Sequence, residues 1–211
     1  MKTTALLVLV GAGLTVMGEV FTLDQRAEAV QAESENHHIV IPNPAELDPA
    51  SAEATYQSIR ENMASQYANS GDPLAWSYQN WKRLNRAPYR SKAHGGLFVN
   101  NYASAGAAAA YAKRDRSASF AVGSMIVKDS FMVTTTGTVL AGPLYIVEKL
   151  PPGWAPNAGD WRFLVIKSDG TLVGLGQDEE KTRFCVTCHT KKNGTNAPFF
   201  YVPRGNEAAT P

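Results

Sequence analysis

The hydrophobic and polar positions of this chain change period along its length. Tyr56, Ile59, Met63 and Tyr67 recur at three- and four-residue intervals, the spacing of one face of an α-helix. Asp48 before Pro49 supplies the start, an N-cap followed by Pro at the first helical position, and Gly71 supplies the stop. Asp72-Pro73 repeats the start signal, and Leu74, Tyr78, Trp81 and Leu84 predict a second helix that ends before Pro88. Both stripes are read as core rather than chemistry. Residues 97–102 then read as a strand, and the alanine-rich run 104–114 as a short helix. After it, strands are expected over 120–128, 130–135, 144–149 and 161–167, with Gly137, Pro143, Pro151-Pro152-Gly153 and Ser168-Asp169-Gly170 between them. Asp169-Gly170 suits a tight hairpin into a last strand at 171–174, because glycine takes the positive φ such a turn requires. The pattern predicts an α+β fold: mainly antiparallel sheet, with helices at its N-terminal side.

The ends of the chain differ from this middle. Met1-Lys2 is a short positive region, and residues 5–18 form an apolar stretch of signal-peptide length. Val30-Gln31-Ala32 is the better small-x-small cleavage site, so residues 1–32 are read as a signal peptide. An uncleaved anchor is the alternative, since 3–23 approaches the ~20 residues that cross a bilayer, interrupted only by Glu19. Residues 33–47, with His37 and His38, read as a solvated linker, 48–204 as one domain and 205–211 as a flexible tail. With 44% hydrophobic and 18% charged residues among 211, a real core can form. The net charge of +1 gives no reason to expect a nucleic-acid partner.

The chemistry lies near the C-terminus, in Cys185-Val186-Thr187-Cys188-His189. Cys-x-x-Cys-His is the c-type haem attachment pattern: two thiols add to the haem vinyl groups and the adjoining imidazole reaches the iron. Cys185 and Cys188 are the only cysteines, so neither is left for a disulfide framework. Their site is therefore expected to hold one covalent haem c, with Cys185 and Cys188 as attachment points and His189 as iron ligand. A redox dithiol, or half of a zinc site completed from elsewhere in the chain, are the competing readings. All five methionines precede Cys185, and no Met or His follows His189. This departs from small electron carriers in which a Met ligand comes after the motif. A four-helix bundle is opposed by the strand-rich block 120–174.

The order of elements resembles the cytochrome P-460 and cytochrome c′-beta family. The resemblance runs from about residue 94 to 203. It rests on the strand at 98–102, the helix ending in Tyr111-Ala112-Lys113-Arg114, and Val122-Gly123-Ser124-Met125-Ile126-Val127-Lys128-Asp129. Gly142-Pro143-Leu144-Tyr145, Gly159-Asp160-Trp161-Arg162-Phe163, the haem motif after Phe184 and Phe199-Phe200-Tyr201-Val202-Pro203 complete it. It implies an antiparallel β fold, a frequently dimeric assembly and an open distal side on the iron. It also implies an exported, periplasmic protein, membrane-anchored if the N-terminal segment is retained.

One branch of the family resembles a hydroxylamine oxidase with a lysine joined to the haem edge, and the other binds small gases. The matching lysine here is Lys113, with Lys128 and Lys149 as weaker candidates. The hydrophilic run around Lys113 and Arg116 reads instead as a solvated helix end, so no cross-link is expected there. His94 before Gly95-Gly96 is a distal acid or base or a loop hydrogen-bonding group, and Asp129 and Glu148 are candidate distal carboxylates. Phe98, Phe120, Phe131 and Phe199 lean toward an apolar pocket. Two functions follow: a cytochrome that binds small gases or passes electrons to a redox partner protein or membrane complex, or a haem oxidoreductase acting on hydroxylamine or nitric oxide.

Overall fold

The computed structural model describes residues 45–174 and 179–208. The 1–32 segment, most of the 33–47 linker with His37 and His38, and residues 209–211 lie outside them. Helix α1 (Pro49–Ala68) starts where expected. Asp48 Oδ1 accepts from the amides of Ala50 and Ser51 at 2.9 and 3.0 Å, partnering donors that the helix itself leaves open. Its buried stripe is Ala52, Tyr56, Met63 and Tyr67.

The second helix is shorter than its apolar spacing suggested. Helix α2 covers only Leu74–Ser77, a 3-10 turn follows over Tyr78–Asn80, and Trp81 is already extended. The chain is drawn into the sheet as β1 (Lys82–Arg83), and the Leu84 amide donates to Asn101 O at 2.8 Å. The adjacent strand needs partners for its edge, and those backbone hydrogen bonds override a helical pattern carried by two side chains.

The remaining elements are β2 (Tyr89–Ser91), a 3-10 turn (Lys92–His94), β3 (Leu97–Ala103), α3 (Ala105–Ala112), β4 (Met125–Val133), β5 (Val139–Ala141) and β6 (Leu144–Lys149). After a second such turn (Pro156–Ala158) come β7 (Trp161–Ile166), β8 (Leu172–Val173) and α4 (Glu179–Asn193). The eight strands form one antiparallel sheet in the order β1-β3-β4-β6-β7-β8, with β2 also on β3 and β5 also on β4. The α+β meander read from the sequence is therefore present, with one merger: the segments 120–128 and 130–135 are not two strands, because β4 runs through Asp129 without a break. The described part of the 205–211 tail is fastened rather than loose: Arg86 N donates to Asn206 O at 2.9 Å and Ala208 N to Leu84 O at 2.8 Å.

Side-chain alternation gives the sheet two different faces. Register aligns Phe98 with Phe131, Asn100 with Asp129 and Tyr102 with Val127, and these residues face α1. Leu144, Ile146, Leu164 and Ile166 complete that core. The intervening positions form the second face, where Ala103, Ile126, Val147 and Phe163 stand in one row and Asn101, Lys128, Tyr145 and Val165 in the next. Tyr111 of α3 and Phe199 and Val202 of the C-terminal segment pack over it.

Asp129 survives mid-strand because the α1 face satisfies it. Tyr56 and Tyr78 donate to Oδ2 at 2.7 and 3.1 Å, Asn100 donates to Oδ1 at 3.0 Å, and the Tyr102 hydroxyl lies 2.5 Å from that of Tyr56. Burial pushes the carboxyl up to about 6, with the hydrogen bonds from Tyr56, Asn100 and Tyr78 opposing the rise. A carboxyl raised on folding stabilises the fold below its unfolded pKa and loses that contribution as pH climbs through the folded value. The urea stability of the wild type relative to Asp129→Asn should therefore fall by roughly 2 kcal/mol between pH 4 and pH 7. A gap independent of pH across that window contradicts this.

Candidate functional site

Helix α4 presents Cys185, Cys188 and His189 at i, i+3 and i+4, positions that share one side of a helix. The apolar pattern announces no helix here, since Lys181, Arg183, Lys191 and Lys192 interrupt any stripe. The helix nevertheless seats against the second face of the sheet, where Cys185 and Val186 pack on the cluster containing Phe163. Gly174 permits the approach: a Cβ there would strike the Thr182 methyl group and lie 2.6 Å from Phe163 O. Both thiols are free. Burial pushes the Cys185 thiol up to about 11, so before any reaction it stays protonated at neutral pH. Among the described residues no group of three His, Cys, Asp or Glu side chains converges as a metal site, so the zinc reading finds no further ligands there.

His189 is braced from several sides. Its Nδ1 lies 2.6 Å from the carbonyl of Pro198, and the edges of Phe163 and Phe200 meet its ring at centroid distances of 5.1 and 4.9 Å. A carbonyl can only accept, so the proton sits on Nδ1 and Nε2 is the nitrogen that would meet a metal. Such a bond fixes the ring and raises its basicity as a ligand.

The Pro198 carbonyl is itself fixed. Phe199 N donates back to Ala197 O at 2.8 Å in a three-residue turn centred on Pro198. Arg116 Nη1 donates to the two flanking carbonyls, Ala197 O at 2.8 Å and Phe199 O at 2.9 Å, while Trp161 Nε1 holds Asn196 O at 3.1 Å. Arg114, in the left-handed region at φ 54°, donates to Val202 O at 2.8 Å. Both guanidinium groups lie over the Tyr201 ring. By its local pattern this basic run is a solvated helix end. Lys113 and Arg116 are exposed as that pattern has it, but Arg114 and Arg116 also hold carbonyls of the C-terminal segment. Their acceptors are backbone carbonyls far along the chain, which no local pattern announces.

The other candidates divide by face. His94 is buried, with Nδ1 2.8 Å from Ser91 Oγ, its ring 4.7 Å from that of Tyr145 and 6.2 Å from that of His189. It thus makes the expected loop hydrogen bond and also reaches the site. Lys128 lies on the same face, buried, with its ammonium over Phe200 at 5.4 Å and its pKa pushed down to about 7 by burial. The Tyr145 hydroxyl is buried without a hydrogen-bond partner among the described residues. Asp129 and Glu148 are not distal carboxylates: alternation sends them to the α1 face, where Glu148 pairs with Arg162. Lys149 is tied to Gly159 O at 2.5 Å and lies over Trp161. Of the four phenylalanines expected to line a pocket, Phe98 and Phe131 belong to the α1 core, and only Phe120 and Phe199 lie on the site face.

The fold and site thus define an antiparallel-sheet domain that carries a Cys-x-x-Cys-His helix against one face. A family model described as cytochrome P460 matches residues 75–200, more than half of the chain, and the protein belongs to that family. No curated protein matches the chain. Membership implies a haem c protein, and the residues fit: two thiols and an oriented imidazole on one helix face, beside aromatic rings and a buried, unpartnered tyrosine hydroxyl. Among the described residues no helix is long and apolar enough to cross a membrane.

If Arg116 clamps the 196–199 turn, Arg116→Met should lower unfolding stability by about 1–2 kcal/mol through two lost charge-assisted bonds, while its stem still covers Tyr201. Lys113→Met, at an exposed position, should change stability by less than about 0.5 kcal/mol. Equal effects of the two substitutions in urea melts contradict the assignment.

Proposed function

We propose that this protein is an exported mono-haem c-type cytochrome that transfers electrons, with haem held through thioether bonds at Cys185 and Cys188 and with His189 as an axial ligand. The observation that carries the reading is the bond between His189 Nδ1 and Pro198 O beside the two thiols, an arrangement that orients Nε2 and strengthens it as a donor. When bound, the haem supplies one-electron chemistry. The chain's own residues hold it, orient the imidazole and exclude water, the last through Phe163, Phe199, Phe200 and Trp161. Burial and apolar surroundings of this kind are among the levers that set a haem potential.

A redox partner protein is part of this reading. Lys181, Arg183, Lys191 and Lys192 are exposed on α4 and outnumber its acidic residues Glu179 and Glu180. A cationic border around a haem helix suits an anionic partner surface and a salt-sensitive association rate. The oxidoreductase reading draws support from one residue, Lys128, whose buried amine on the site face could exchange a proton near neutral pH.

Mass spectrometry of the denatured protein tests the attachment. The wild type should retain the mass of one haem, Cys185→Ala or Cys188→Ala should weaken retention, and the double variant should lose it. A denatured wild-type chain free of haem contradicts the proposal.

A further inference from the structure

The site face of the sheet carries a buried cation for which the chain supplies no anion. Lys128 stands mid-strand in β4 at 5% exposure, and burial alone acts on its amine. Among the described residues that amine has the ring of Phe200 at 5.4 Å and neither a hydrogen bond nor an ion pair. Alternation removes the nearest acids, because Asp129 and Glu148 project from the opposite face. An unpaired buried ammonium carries a large desolvation penalty, which an anion placed against it offsets.

Directly across the ladder, Lys128 pairs with Tyr145 of β6, and opposed side chains in an antiparallel pair stand about 5 Å apart at Cβ. The Tyr145 hydroxyl is the second unsatisfied group, buried and without a hydrogen-bond partner among the described residues. The next member of the row shows the contrast. Asn101 donates to the Tyr111 hydroxyl at 3.0 Å and accepts from that of Tyr89 at 3.0 Å, so its amide is engaged. Two unsatisfied donors side by side on one buried face call for an acceptor that both can reach.

Aromatic contacts place the pair beside the haem-motif imidazole. Phe200 meets both the Lys128 ammonium and the His189 ring, at 5.4 and 4.9 Å. The His94 ring lies 4.7 Å from that of Tyr145 and 6.2 Å from that of His189.

We propose that Lys128 and Tyr145 form an anion subsite on the site face, which binds one carboxylate through a charge-assisted bond from the ammonium and a hydrogen bond from the phenol. A carboxylate suits the pair because its two oxygens accept from both donors at once. Haem brings carboxylates of its own, the propionates, and a small carboxylate from solution is the other source of the same chemistry. The first source rests on the haem c reading above; the second does not. In either case Lys128 is a binding group rather than a proton donor.

Resonance Raman spectra of the haem-loaded protein, together with urea unfolding in acetate, test the subsite. The variants are Lys128→Met, which keeps an apolar stem against Phe200, and Tyr145→Phe, which removes only the hydroxyl. If a propionate is the occupant, the propionate bending mode shifts between the wild type and each variant, and furthest in the double variant. If the carboxylate comes from solution, that mode is the same in all of them, while acetate raises the urea midpoint of the wild type above its value in sodium chloride of equal ionic strength and leaves the midpoints of the variants unchanged. Either result supports the subsite and assigns its source. An unmoved mode together with no difference between acetate and chloride overturns it. So does peptide mapping that finds Lys128 joined to the haem, since its amine is then bonded to carbon. A wild type that retains no haem on denaturation removes the haem c reading, and the acetate comparison then decides the subsite alone.

Discussion

Strand β4 is buried on both faces, and the alternation of its side chains decides what chemistry each side of the sheet can hold. Ile126 and Lys128 point to the haem-motif helix, while Val127, Asp129 and Phe131 point to α1. A one-residue slip in register would exchange these sets and place a carboxylate among the site aromatics. Asp129 guards against that slip. Its three hydrogen bonds, to Tyr56, Tyr78 and Asn100, are available only on the α1 face, and an unpaired carboxylate on the other side would carry a large desolvation penalty.

With the register set, the site face is closed by two segments that come late in the chain. Helix α4 supplies Cys185, Cys188 and His189, and the 196–202 segment supplies the carbonyl and aromatic rings that orient His189. The 196–202 segment depends on groups presented by earlier elements, namely Trp161 at the start of β7 and Arg114 and Arg116 beyond α3. The His189 imidazole is thus positioned by other parts of the domain as well as by its helix, which is how a loop carbonyl acts as an outer-shell group for a ring nitrogen.

Much of this was legible in the sequence. The N-cap at Asp48, the strands at 97–102 and 144–149, the meander and the haem motif follow from local rules, because each rests on a period, a cap or a fixed spacing. What escaped was non-local. Residues 82–84 continue a helical stripe yet join the sheet, because β3 has an edge to satisfy. Asp129 reads as a strand break until its tyrosine partners are brought to it by α1. Glu148 and Asp129 look like candidate acids for a pocket, and only the register shows that they face away from it. The carbonyls that Arg114 and Arg116 hold lie some eighty residues further on, so no local pattern announces them. His94 is the sharpest case: its loop hydrogen bond is local and could be expected, but its approach to His189 exists only once β2, β3 and α4 are assembled.

The central claim is that this face of the sheet holds a haem joined to both cysteines of α4. The pyridine haemochrome spectrum tests it most directly, because the position of its α band counts how many vinyl groups have been converted to thioethers. The account expects the band of a haem with two thioether links in the wild type, moving toward that of vinyl-bearing haem in Cys185→Ala and Cys188→Ala. A wild-type band at the position of haem with both vinyl groups intact would contradict it.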